Sequence, residues 1–239
     1  MSVRCNRYAL LAVMFTVVIG VPASARADAI FYGPTPYLQS SDSPFSSVGS
    51  SYFYLETFED GLVNTLGLTV SGGIAIMGEY VDSVDGDDGV IDGNGSATGH
   101  SLWSNFTETV LTFNFDVDLL GALPTYAGLV WTDFGYNSPT PYYGPVTLEA
   151  FGGSGQSLGS TGPFILGDGM DMGQTAEDRF FGVFDPLGIS SIRMTTNTTD
   201  WEVDHVQYGR QITTVPEPST LLLMGLAMVG LSGRRLRRS

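Results

Sequence analysis

Five aspartates and an asparagine crowd into one short stretch, Asp82-Ser83-Val84-Asp85-Gly86-Asp87-Asp88-Gly89-Val90-Ile91-Asp92-Gly93-Asn94-Gly95. A hard cation such as Ca²⁺ asks for roughly six to eight oxygens from a backbone that can bend around it. Asp82, Asp85, Asp87, Asp88, Asp92 and Asn94 offer side-chain oxygens, and the intervening glycines leave carbonyls free to turn inward. The spacing is not that of an EF-hand: counted from Asp85, the third ligand slot falls on Gly89, and no glutamate closes the loop. The other reading is a solvated loop whose carboxylates face water. A bound ion would relieve the repulsion between adjacent Asp87 and Asp88.

Further titratable residues gather at Glu177-Asp178-Arg179 and at Glu202-Val203-Asp204-His205. If Trp201 to Gln207 is a strand, successive side chains alternate, so Asp204 and His205 face opposite ways and form no acid–base dyad. Glu202 and Asp204 then share a face, where they can receive Arg179 in an ion pair or hold a second metal with Glu177 and Asp178. His100, amid Gly, Ser and Thr, reads as an exposed loop residue. Gly152-Gly153-Ser154-Gly155 lacks the lysine and following helix of a phosphate loop, and no zinc spacing or serine nucleophile elbow occurs. Tyr136, Tyr142 and Tyr143 lie in a Gly/Pro-rich stretch; their rings either stack on sugars or cap the edge of the fold. No catalytic residue is assigned.

The elements that must position these groups are strands. Leu111, Phe113, Phe115 and Val117 alternate with polar residues, which places one apolar face on a half-buried strand. Val146, Leu148 and Ala150 repeat the pattern, and Ala127 to Trp131 is a continuous apolar run. Tyr52 to Phe58, Leu66 to Met77, Phe180 to Phe184, Ile189 to Thr195 and Trp201 to Gln207 complete the predicted set. Most of the chain's 31 glycines fall among them, and helical periodicity is nearly absent. The expected fold is all-β, an antiparallel sandwich of jelly-roll type over residues 28–212.

Charge narrows the partners. Between Asp28 and Val215 stand only Arg179, Arg193 and Arg210, no lysine, and 24 of the 25 acids, a net charge of −21. Such a surface repels nucleic acid and anionic lipid. The chain's single cysteine, Cys5, precedes the first apolar run, so the folded part has no disulfide.

Both ends read as targeting segments. Arg4 and Arg7, the apolar run Ala9 to Val21 and the small residues Ala23 to Ala29 form a secretory signal peptide over residues 1–27, with cleavage after Ala27 favoured over Ala25 or Ala29. At the other end, Val215-Pro216-Glu217-Pro218 is held extended by its prolines, Leu221 to Leu231 is apolar, and Arg234, Arg235, Arg237 and Arg238 are basic. The apolar stretch Thr220 to Gly233 rises about 21 Å as a helix, short of a hydrocarbon core of about 30 Å, which suits a temporary anchor in the inner membrane. An ordinary C-terminal transmembrane helix is the alternative. This order of tripeptide, apolar run and arginines at residues 215–239 resembles the PEP-CTERM sorting signal of exported bacterial proteins. The resemblance implies a membrane protease of the exosortase type as processing partner, cleavage near Pro216-Glu217-Pro218, and delivery to the cell envelope or extracellular matrix.

A second resemblance runs from Leu123 to Gly209. The stretches Ala127-Gly128-Leu129-Val130-Trp131-Thr132-Asp133, Val146-Thr147-Leu148-Glu149-Ala150-Phe151, Gly173 to Val183 and Trp201 to Gly209 look like a segment common in PEP-CTERM-tailed proteins, departing at Tyr126, where His is expected. It implies fold and export and no chemistry. The expected function is a non-catalytic structural or adhesive component at the cell surface. A calcium-assisted carbohydrate-binding module, with extracellular polysaccharide as partner, and a secreted hydrolase stand as alternatives.

Overall fold

Period-two apolar patterning and frequent turn residues build two antiparallel sheets. The computed structural model describes residues 28–77, 82–86, 99–133, 145–166 and 178–212. In chain order the strands are β1 (Ile30–Pro36), β2 (Ser50–Glu56), β3 (Leu68–Ser71), β4 (Ile74–Met77), β5 (His100–Trp103), β6 (Val110–Phe115), β7 (Tyr126–Asp133), β8 (Pro145–Gly152), β9 (Ser157–Ile165), β10 (Arg179–Phe184), β11 (Ile189–Thr195) and β12 (Glu202–Gln211), with one helical turn, α1 (Val117–Leu120). Seven strands form one sheet in the order β1-β10-β7-β12-β5-β4, with β2 pairing the second half of β12; five form the other in the order β3-β6-β11-β8-β9. Every strand pairing described is antiparallel.

The main core lies between the sheets. Leu129, Trp131, Phe181, Val203 and Tyr208 of the first pack with Phe113, Leu148, Ile192 and Met194 of the second. A smaller apolar cluster, Tyr37, Phe45, Val84, Tyr126, Val130 and Phe180, covers the outer face of the seven-stranded sheet. That sheet is therefore buried on both faces. Its strand β12 is buried for eight residues running, from Glu202 to Gly209, although half of them are polar or charged.

Several sequence expectations change in detail. Leu66 to Met77 is not one strand: Gly72 and Gly73, at φ +84° and +76°, turn the chain so that β3 joins one sheet and β4 the other. Positive φ is open to glycine at no steric cost. Val117 leaves the strand because Asp116 caps α1, its Oδ1 accepting from the N–H groups of Asp118 at 2.8 Å and Leu119 at 3.2 Å. His100 is not an exposed loop residue; it begins β5 and is half-buried. The signal peptide and the C-terminal apolar run lie outside the described residues. Among the described residues no helix is long and apolar enough to cross a membrane.

Candidate functional site

The start of the acidic stretch and the first half of β12 meet on the outer face of the seven-stranded sheet. The Asp82 N–H donates to Glu202 Oε2 at 2.8 Å, and the Val84 N–H to Asp204 Oδ2 at 3.0 Å. The Ser83 hydroxyl donates to the same Asp204 oxygen at 3.1 Å, and the Ser101 hydroxyl of β5 to Glu202 Oε2 at 2.6 Å. Val84 drives its side chain into the outer apolar cluster. Residues 82–86 are thus fastened to β12 by two backbone donors, a hydroxyl and an apolar plug. Two regions that sequence reading keeps apart form one site.

A bulge makes the site. Between Asp204 and Gln207 the pairing of β12 with β7 slips by one residue, and His205 takes φ +45°. Val203 faces the inner core before the slip, and Val206 and Tyr208 face it afterwards. Strict alternation would have sent His205 into that core. The extra residue instead keeps Asp204, His205 and Gln207 together on the outer face, a re-aiming that bulges commonly perform. The expectation that Asp204 and His205 face opposite ways is overturned. Asp85, Asp204 and His205 offer ligand atoms that all lie within 4.8 Å of one another.

Hydrogen bonds fix the imidazole on both sides. His205 Nε2 lies 3.3 Å from Asp85 Oδ2, and Nδ1 lies 3.0 Å from the Tyr37 hydroxyl. Gln207 donates to the same hydroxyl at 3.3 Å and accepts from Ser43. Burial acts on every charge here. It raises the Asp204 carboxyl to about 7, partly offset by the neighbouring imidazole, and lifts Glu202 well above the carboxylate range. Burial pulls His205 down, but the hydrogen bond it donates to Asp85 and the charges of Asp204 and Asp85 outweigh it, so the imidazole titrates above its ordinary value. The hydrogen bond to His205 holds Asp85 low.

Other predicted residues are placed differently. Asp178 is fully buried at the entrance to β10, and its carbonyl accepts from Tyr37 N–H and from the Arg179 guanidinium. Arg179 pairs with Trp131 across β10 and β7, on the face opposite to Glu202 and Asp204. Among the described residues no ion pair joins Arg179 to either acid. Asp87, Asp88, Asp92, Asn94, Glu177, Tyr136, Tyr142 and Tyr143 lie outside the described residues, as do Pro216, Glu217, Pro218, Arg234, Arg235, Arg237 and Arg238. Sequence reading missed Ser83, Ser101, Tyr37 and the role of His205. One signal for His205 was present: the apolar set Trp201, Val203, Val206, Tyr208 changes parity between Val203 and Val206, as a bulge requires.

Glu59 and His100 extend the site. Glu59 Oε1 accepts from His100 N–H at 2.6 Å, and its other oxygen lies 3.5 Å from His100 Nδ1. Gly99, at φ +89°, allows this approach: a Cβ there would sit 2.6 Å from Ser83 Oγ and 3.1 Å from Glu59 Oε1. Gly99→Ala is therefore expected to cost about 2 kcal/mol from left-handed strain and crowding. The midpoint of urea unfolding reads this directly. An unchanged midpoint would mean that Ser83 is not seated against Gly99.

Residues 214–238 match the family described as the PEP-CTERM protein-sorting motif. The match covers Pro216-Glu217-Pro218 and the four terminal arginines. The chain thus carries a sorting motif of exosortase substrates, which implies an exported protein. No similarity to a curated protein or to a solved structure was found.

Proposed function

We propose that this exosortase-sorted protein is a non-catalytic structural or adhesive component of the cell envelope or extracellular matrix, built on a jelly-roll-type sandwich. One observation carries the reading. The titratable groups brought together on β12 are committed to holding the chain in place, with Asp204 at 0%, Glu202 at 2% and His205 at 3% exposure. Their hydrogen bonds go to Asp82, Ser83, Val84, Asp85, Ser101 and Tyr37 of the same chain. A hydrolase would want the raised carboxyls of Glu202 and Asp204, yet a substrate reaches neither without displacing residues 82–86. The net charge of −21 between Asp28 and Val215 keeps such a protein dispersed outside the cell.

The carbohydrate-binding alternative has one observation in its favour, a shallow groove of about 200 Å³ lined by Tyr32, Phe45, Tyr126, Phe184 and Gln211. Aromatic rings beside an amide suit a sugar face and its hydroxyls. A glycan array probed with the secreted protein separates the two: retention that is lost in Tyr32→Ala favours the module.

The main reading is tested in the secreting host. Deleting Pro216-Glu217-Pro218 is expected to leave an uncut chain in the membrane fraction, whereas the wild type reaches the envelope or medium ending near that tripeptide, as mass spectrometry of the intact protein shows. Sugar or peptide release by the secreted protein, abolished by Asp204→Asn, would overturn the non-catalytic assignment.

A further inference from the structure

We propose that Asp85, Asp204 and His205 form a mononuclear site for a borderline divalent ion of the Zn²⁺ type, which locks residues 82–86 onto β12. The proposal goes beyond the envelope role and does not depend on it. Donor chemistry selects the ion. One imidazole with two carboxylates suits Zn²⁺, Co²⁺ or Ni²⁺, whereas Ca²⁺ takes oxygen alone. Two ligands each about 2.1 Å from a tetrahedral ion are about 3.4 Å apart. The three ligand atoms lie within 4.8 Å of one another, and His205 Nε2 is already 3.3 Å from Asp85 Oδ2. That pair is already at the spacing a tetrahedral ion needs, and a ligand pair as wide as 4.8 Å would have to close by about 1.4 Å. The ion would take the place of the proton between Nε2 and Oδ2, and that proton would leave to solvent.

Each ligand is held from behind, as metal ligands usually are. The Tyr37 hydroxyl meets His205 Nδ1 at 3.0 Å, Ser83 and Val84 bind Asp204, and the Asp85 N–H donates to Ser83 Oγ at 3.2 Å. The Asp85 side chain is 44% exposed, so an ion has a path in from solvent.

An independent observation comes from β7. The Thr132 hydroxyl is fully buried and has no hydrogen-bond partner among the described residues. Thr132 is the extra residue of a second bulge, in β7: Asp133 pairs with Glu202 and Trp131 with Val203, which sets Thr132 opposite the Glu202–Val203 step of β12. The chain's two histidines also converge here, His205 on Asp85 and His100 on Glu59, whose Oε1 lies 3.5 Å from Ser83 Oγ.

The test uses the full chain in detergent, stripped with chelator and titrated with Zn²⁺ and Co²⁺. Uptake of one tight equivalent is expected, with a visible Co²⁺ spectrum carrying a nitrogen ligand, and equimolar Ca²⁺ should not displace it. Asp85→Asn, at the exposed rim, and His205→Gln should each weaken Zn²⁺ binding at least tenfold and change the Co²⁺ spectrum. Asp85→Asn decides alone if His205→Gln does not fold. No uptake by the wild type, or Zn²⁺ held equally well by Asp85→Asn, would overturn the site, the latter placing the ion on other carboxylates.

Discussion

Trp131→Ala is expected to remove about 3–5 kcal/mol of stability, the range found when a large buried aromatic is truncated. Trp131 is 1% exposed at the centre of β7 and stacks on Trp201, with ring centroids 5.2 Å apart and planes 13° from parallel. The partner ring is itself fixed, its Nε1–H donating to the Glu108 carbonyl at 2.9 Å. It cannot swing into the space vacated, so the cavity persists. Stacking adds about 0.5–1.5 kcal/mol beyond burial. Against a total of about 5–15 kcal/mol for a typical domain, the variant should unfold at markedly lower urea. Trp131→Phe, which keeps a ring, should lose less than half as much. A loss below about 1 kcal/mol for the alanine variant would mean that the two indoles do not anchor the sheets together. The effect should also reach the acidic site, because Trp131 pairs with Val203 between Glu202 and Asp204.

The legible part of the fold is the part where one face is apolar and the other polar. β6, β8 and β11 follow from alternation, and all three lie in the five-stranded sheet; β7 and β10, buried on both faces of the other sheet, show instead as continuous apolar runs. The strands that escaped have physical reasons for doing so. β1 and β9 contain Pro34, Pro36 and Pro163, which a sequence reading takes as breaks. Both lie at the edge of their sheets, where a missing N–H leaves no gap in the ladder. β5 spans only His100 to Trp103, too short for a period to show. At the site, the acidic residues of 82–85 and the pair Glu202 and Asp204 were recognisable by type. Their meeting was not, because it depends on a second layer, residues 37–49 and 82–86, laid over the outer face of the sheet. That layer also explains why polar residues of β12 are buried where alternation predicts a solvated face.

Without bound metal, the protein should lose stability as pH rises from about 4 to above 7, against the usual trend for acidic proteins. The sign follows from proton binding. Burial raises the folded-state value of Asp204 from 3.8 to about 7, so between those values the native state holds a proton that the unfolded chain has released. Stability falls with pH wherever the native state binds more protons. Each unit of difference is about 1.4 kcal/mol, which puts the loss from Asp204 on the order of a few kcal/mol. Glu202, raised in the same direction by burial, extends the fall to higher pH. His205, also raised, adds to it: the stability its protonated form contributes is complete below its unfolded value and disappears as pH climbs through the folded one. Asp85 acts oppositely, but only at the acid end, where its lowered value lies below 3.8. Urea unfolding in chelator at pH 5 and pH 8 measures the difference. Asp204→Asn removes one of the titrating carboxyls and should flatten the slope by about one proton over that interval. A wild-type protein that is equally stable at both pH values would show that water reaches Asp204 and Glu202, and that residues 82–86 do not seal the outer face of β12.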